Sequence, residues 1–209
     1  MADIFTLSAT DLGALLCSRV CHDIISPVGA INNGLELLDE GGADDDAMAL
    51  IRASARNASA RLQFARIAFG AAGSAGMQID TGDAEAVAKA FIANEKPELE
   101  WIGVRALLPK NKVKLLLNLI LVANSTIPRG GKITVRLDDT DANPKFTLTS
   151  TGKMIRVPPK FLELHGGNTP SEPIDAHSVQ AYYTLLLARE SGMTIDIRAT
   201  GEDVVLTAS

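Results

Sequence analysis

Residues 22–28 read His22-Asp23-Ile24-Ile25-Ser26-Pro27-Val28. A histidine stands beside an acid, five residues before a proline, inside a run otherwise patterned as a long helix. Proline in a helix interior removes a backbone hydrogen bond and clashes with the preceding turn, at a cost of roughly 3 kcal/mol. Projected at 100° per residue, His22 shares its face with Ser18, Ser26, Gly29 and Asn33, roughly opposite an apolar stripe of Leu16, Val20, Ile24, Ile31, Leu35 and Leu38. The imidazole is therefore aimed at solvent, and its small neighbours leave room for something to approach. A solvent-facing imidazole is largely neutral at physiological pH and carries a nucleophilic nitrogen. Asp23 reads as an acceptor for the other ring nitrogen, which would fix the tautomer, and Ser26 as a hydrogen-bonding partner for the arriving group.

Working outward, Ser8 or Thr10 is a candidate N-cap for a helix running to about Glu40, where Gly41-Gly42 would stop it. A second helix is expected to start at Asp44 to Asp46, acids suited to the positive end of a helix dipole. Its expected seam is Ile51, Ala55, Ala58, Leu62, Ala65 and Phe69, at alternating spacings of four and three. Two antiparallel helices, each apolar along a narrow stripe, cannot enclose a core. A second copy of the chain would complete a four-helix bundle, so a homodimer is expected. Packing against the rest of the same chain is the competing explanation.

Ala71 to Gly76 reads as a Gly/Ala/Ser linker, dividing the chain into 1–74 and 75–209. Beyond it the pattern is mixed. Strands are expected at Met77–Asp80 and Leu99–Val104, and helices at Asp83–Asn94, Asn111–Thr126 and Ser178–Ser191, the last ended by Gly192. Hairpins are expected from Lys132–Leu137 with Lys145–Thr149 and from Thr194–Ala199 with Asp203–Thr207. The fold class is α+β: a helical hairpin followed by an α/β sandwich with a largely antiparallel or mixed sheet.

The chain has 209 residues, 46% hydrophobic and 22% charged, with a formal net charge of −5. That balance suits one or two soluble domains and argues against a nucleic-acid coat. The apolar run Leu115–Ala123 is too short to span a bilayer, and the N-terminus has no signal-peptide pattern, so no membrane association and a cytoplasmic protein are expected. Cys17 and Cys21 are too few for a disulfide framework and do not point with His22; both read as core packing, and no metal site is expected. His165 and His177 read as loop or cap residues, and Trp101 as core. No acid occurs from Ala47 to Ile79, whereas Arg52, Arg56, Arg61 and Arg66 lie along the second helix, a basic stripe able to attract an acidic partner.

The segment His22–Val28 resembles, at every position, the phosphoacceptor motif of dimeric sensor histidine kinases. That resemblance implies a dimerisation domain followed by a kinase ATP-binding domain of the Bergerat-like fold. Asn118–Ala123 and Gly130–Val135 align with the kinase N-box and the strand after it. There the likeness breaks. The magnesium-binding asparagine of the kinases corresponds to Val122, which has no oxygen to offer. The adenine-binding acid corresponds to Ser150 and the second glycine of its box to Met154. The segment Ser178–Tyr183, where a phosphate loop should lie, contains no glycine. ATP binding is not expected, and no intrinsic cofactor.

An intact acceptor without a nucleotide site is similar to the ChpT-type histidine phosphotransferases of alphaproteobacterial cell-cycle phosphorelays. The resemblance implies a dimer whose His22 takes a phosphoryl group from the receiver domain of a CckA-like hybrid kinase. The group then passes to response regulators like CtrA and CpdR, with Mg²⁺ carried by the receiver. It makes His22, Asp23 and Ser26 the catalytic set. Docking falls to Ile25, Pro27, Gly29, Asn32, Asn33 and Glu36 of the first helix and Arg52 and Arg56 of the second. The alternatives are a non-enzymatic adaptor or antagonist docking on kinase or receiver domains, and a divergent ATP-dependent histidine kinase.

Overall fold

The computed structural model describes residues 4–40, 44–70, 78–140, 142–168 and 170–209. The expected stop at Gly41-Gly42, the linker with its 74/75 boundary, Met77 and Thr169 lie outside the described residues.

Helix α1 spans Ala9–Asp39 and α2 spans Asp44–Ala68. Of the two candidate caps, Ser8 is the one used: its Oγ accepts from the amide of Asp11 at 3.1 Å, and Thr10 lies inside the helix. The helices run antiparallel. Gly34 faces Ala47 and Ile51 near one end, and Leu16 shares a groove with Leu62 and Phe69 near the other. Gly34 permits the close approach, since a Cβ there would fall 2.6 Å from Ile51 Cγ1. Pro27 sits within α1 and is buried. By length and composition α1 is apolar enough to cross a membrane. Its charged and amide side chains, from Asp11 through Arg19 and Asp23 to Asn32, Asn33 and Glu36, and its packing along α2 instead make it one arm of a hairpin.

The expected α2 seam is only partly right. Ala58 is buried, but Ala55 is exposed and Leu62 is 51% exposed; Ala47, Ser54, Ala60, Phe64, Ile67 and Ala68 are the buried positions. The reason is that α2 has two neighbours, α1 on one side and the second region on another, so the strip between those contacts differs from a single bundle stripe. Cys17 and Cys21 are also corrected. Both are free and exposed, lining an open apolar groove of about 460 Å³ with Leu16, Val20, Leu62 and Phe69.

The second region pairs β1 (Gln78–Asp80) with β3 (Leu107–Pro109) and builds a five-stranded sheet in the order β2-β4-β5-β7-β6. Its strands are β2 (Glu98–Ile102), β4 (Lys132–Asp138), β5 (Lys145–Thr151), β6 (Ile195–Ala199) and β7 (Asp203–Ala208). Among the described residues β2 and β4 run parallel and the other pairings are antiparallel, including both expected hairpins. Alternate residues Ile133, Val135, Leu137, Phe146, Leu148, Val204 and Leu206 point inward, the period-two pattern of a sheet covered on one face. Helices α3 (Thr81–Ile92), α4 (Lys110–Thr126) and α6 (Val179–Ser191) supply the opposing layer. Gly131, at φ 142°, brings its backbone so close to the Thr151 carbonyl that a Cβ would collide with it. The short helix α5 (Pro159–His165) and strand β3 were not expected from the sequence.

Hairpin and sandwich share one core. Phe64, Ile67 and Ala68 of α2 join the same buried cluster as α3, α4 and the sheet, and the rings of Phe64 and Phe91 lie 4.5 Å apart. Arg61 bonds Glu95 at 2.7 Å across this seam, and Asn118 Nδ2 donates to the Ala68 carbonyl at 3.1 Å. At the other end, the amide of Leu7 donates to Tyr182 Oη of α6 at 3.1 Å. Helix α1 is thereby set against α6, and this contact matters for the site.

Candidate active site

His22 lies near the middle of α1 with its side chain 65% exposed. Ser18, Ser26 and Asn33 are exposed on the same side, and a Cβ added at Gly29 would meet nothing within 4 Å. Ile25 is 70% exposed, and Asn32, Glu36, Arg52 and Arg56 are exposed as well. Pro27 is corrected: it is buried within α1, so its side chain is not part of the exposed face offered to a partner. Among the stripe arginines, Arg61 is half-buried and committed to Glu95, which leaves Arg52, Arg56 and Arg66 on the surface.

Asp23 departs from its expected role. Its Oδ1 is 3.9 Å from His22 Nδ1, beyond hydrogen-bond range, while its Oδ2 takes the Arg19 Nε–H at 2.9 Å. Helical geometry explains the preference. Adjacent residues diverge on the helix surface, whereas residues four apart face one another. Asp23 thus answers to Arg19 and leaves the histidine ring without a carboxylate clamp.

The neighbour that does meet the ring comes from the second region. His177 packs edge-on against His22, with centroids 5.2 Å apart and planes at 78°. His177 is a loop residue, as its sequence context implies, but its contact with His22 has no local signal in the sequence. Its loop is pinned twice. Arg19 Nη1 donates to the His177 carbonyl at 3.3 Å, and Asp175 Oδ1 accepts from the amides of His177 and Ser178 and from Ser178 Oγ. The Ser178 hydroxyl, foremost among these bonds, holds the Asp175 carboxyl below the usual carboxylate range. Next to it, Lys160, Glu163, Glu172, Asp175 and His177 line an open groove of about 590 Å³. His165, by contrast, ends α5 with Nε2 2.9 Å from the Ile195 carbonyl, in a structural role.

The positions aligned with kinase nucleotide-site residues are otherwise engaged. Val122 is buried in the core, and Ser150 Oγ donates to the Ala123 carbonyl at 3.2 Å beneath β5. Met154 is exposed. Asn118 Nδ2 is spent on the Ala68 and Lys114 carbonyls, and its backbone carbonyl accepts from Gln180 Nε2 at 3.0 Å. Val179–Tyr183 forms the start of α6, with Ser178 at its N-cap position. Among the described residues no group of three His, Cys, Asp or Glu could hold a metal ion.

Comparison with known proteins gives this geometry a setting. The family described as histidine phosphotransferase C-terminal domain matches residues 81–203. The chain is 73% identical over 203 residues to the protein phosphotransferase ChpT of Brucella abortus (strain 2308), covering 97% of each. The chain belongs to the histidine phosphotransferase family. A bacterial phosphotransferase solved at 1.7 Å superposes on this phosphotransferase with a TM-score of 0.93 at 71% identity, over 98% of both chains. The histidine kinase domain of a blue-light activated kinase from Erythrobacter litoralis superposes at a TM-score of 0.50 and 13% identity, over 96% of this chain and 92% of that one. The second likeness is one of fold: helical hairpin followed by kinase-type sandwich. The expected resemblance and fold class therefore hold, and the chain is a phosphotransferase.

Proposed function

We propose that His22 is the phosphoacceptor and that the protein relays a phosphoryl group between receiver domains. The observation that carries this reading is an open imidazole in mid-helix, flanked by the exposed Ile25, Asn32 and Asn33, in a chain of this family. A lone pair of the neutral imidazole attacks the phosphorus of an aspartyl phosphate on the donor receiver. The N–P bond forms, the P–O bond to the carboxyl breaks, and the carboxylate leaves with the electron pair. The phosphorylated ring is a cation, keeping the N–H of its other nitrogen, and returns to neutral imidazole when a second receiver's aspartate takes the phosphoryl group. Such transfer depends mainly on positioning and charge neutralisation, and Mg²⁺ on the receiver meets the second need.

The donor is the receiver of a CckA-like hybrid kinase and the acceptors are CtrA- and CpdR-like regulators, by the family resemblance. Docking uses Ile25, Gly29, Asn32, Asn33 and Glu36 with Arg52 and Arg56, while Ser26 supports His22 and Asp23 holds Arg19. The open groove lined by Leu16, Cys17, Cys21, Leu62 and Phe69 fits a second copy of the chain, which completes a four-helix bundle in a cytoplasmic homodimer. Val122, Ser150 and Met154 stand where the kinases carry nucleotide-binding residues, and their chemistry favours transfer over ATP-dependent phosphorylation. To test the reading, a phosphorylated receiver is mixed with wild type or His22→Ala and a second receiver. Label should reach the second receiver only with wild type; equal passage with the variant refutes the reading and leaves an adaptor.

A further inference from the structure

We propose that His177 is a positioning residue for the phosphoacceptor: it holds the His22 ring in its reactive orientation from the second region. The inference rests on the reading of His22 as acceptor. Three observations carry it. The centroids of the His177 and His22 rings are 5.2 Å apart with planes at 78°, within the roughly 4.5–7 Å edge-to-face arrangement that aromatic rings prefer. The carboxylate expected to do this work is 3.9 Å away and engaged by Arg19. And the loop bearing His177 is fixed on both sides, by Arg19 through the His177 carbonyl and by Asp175 through the His177 and Ser178 amides.

An imidazole with 65% of its side chain in solvent samples several rotamers, and only some point a nitrogen at an incoming phosphorus. A ring laid against one side removes part of that freedom while leaving the opposite side open to a receiver. Because orientation contributes directly to the rate of a group transfer, the contact should act on the transfer step rather than on encounter. Arg19 is the shared anchor. One guanidinium ties Asp23 on its own helix to the carbonyl of the residue that touches His22, so α1 and the 175–178 turn are registered around the acceptor. This also gives the segment at the start of α6 a function in place of nucleotide contact.

The test compares His177→Ala, His177→Phe and His22→Gln in the full chain. Each receives label from a hybrid-kinase receiver phosphorylated by its own kinase, over a range of receiver concentrations. His177→Ala should lower kcat about tenfold with KM within about twofold and no change in melting temperature. His177→Phe, which keeps a ring edge but no ring nitrogen, should recover most of the loss. An unchanged kcat in His177→Ala, a loss confined to KM, or failure of Phe to rescue would overturn the proposal, the second by showing contact with the receiver and the third by requiring the imidazole nitrogens. The acceptor reading fails separately, if wild type takes no label or His22→Gln takes as much.

Discussion

Arg19 and His177, separated by 158 residues in sequence, are joined by a hydrogen bond from the guanidinium Nη1 to the peptide carbonyl at 3.3 Å. The same guanidinium pairs with Asp23 at 2.9 Å. Arg→Lys would not replace it, because an ammonium lacks the fork that reaches both oxygens. In Arg19→Gln, both anchors go. The pair is half-buried, and ion pairs at such i,i+4 helix positions contribute at most ~1 kcal/mol, so the melting curve should move little. The relay rate should fall several-fold, since the turn carrying His177 loses its tie to α1. Urea denaturation and transfer kinetics on the same sample check this, and a rate loss no greater than the stability loss would refute the separation.

Ile25 is large, apolar and 70% exposed one turn from His22. Burial of such a side chain against a partner contributes roughly 2 kcal/mol, equivalent to about 30-fold in binding. Ile25→Glu should therefore raise KM for the donor receiver roughly 10- to 30-fold, leave kcat near wild type at saturation, and leave folding unaffected. A normal KM would remove Ile25 from the docking surface.

The sequence made the hairpin, the two β-hairpins and the α4 and α6 helices legible because each is a local pattern of periodicity, caps and turn residues. Gly192, for example, ends α6 at φ 66°, as a C-terminal glycine should. The exposed, mid-helix placement of His22, the proposed acceptor, was legible from its heptapeptide. His177 was not, since nothing within a few residues of it signals a partner on α1. Pairing of Asp23 with Arg19 was available in the sequence at the i,i+4 spacing but was outranked by the adjacency of Asp23 to His22. Adjacency in sequence is not adjacency on a helix. Ala55 was misplaced because one stripe was asked to serve two different neighbours, whereas Leu62, exposed in the single chain, lies on the open groove proposed to receive a second copy. The short α5 had its own local signal, Pro159 at the first helical position with Phe161 and Leu164 buried behind it.

Phe64 tests whether hairpin and sandwich unfold together. It is 2% exposed and packs on Phe91 in the common core. Phe64→Ala should cost about 3–5 kcal/mol and lower the single denaturation midpoint reported by both regions. A loss below about 1 kcal/mol, or two separated transitions in wild type, would show that the seam is not part of one cooperative core.

Lys114 makes the stability of the fold depend on pH. The side chain is buried, with Nζ donating to Tyr183 Oη at 3.4 Å. Burial, then the nearby Lys110 charge, pushes its pKa below the ordinary 10.5. The native state consequently holds the Lys114 proton less tightly than the unfolded chain, so charging this group opposes folding. Stability should rise with pH between the lowered native value and 10.5. Tyr183 acts in the opposite sense from about pH 10 upward, because burial, with Glu190 second, pushes its phenol from 10.0 up to about 12, so the comparison is confined to pH values below 10. Lys114→Met keeps the apolar stem and removes the charge, a replacement that is commonly neutral or stabilising in a buried setting. Urea midpoints at pH 7 and pH 9.5 should show the variant at least as stable as wild type at the lower pH, with the gap narrowing at the higher. A variant weaker than wild type at pH 7, with unchanged denaturant slope, would mean that the Lys114–Tyr183 hydrogen bond outweighs the cost of burying the charge.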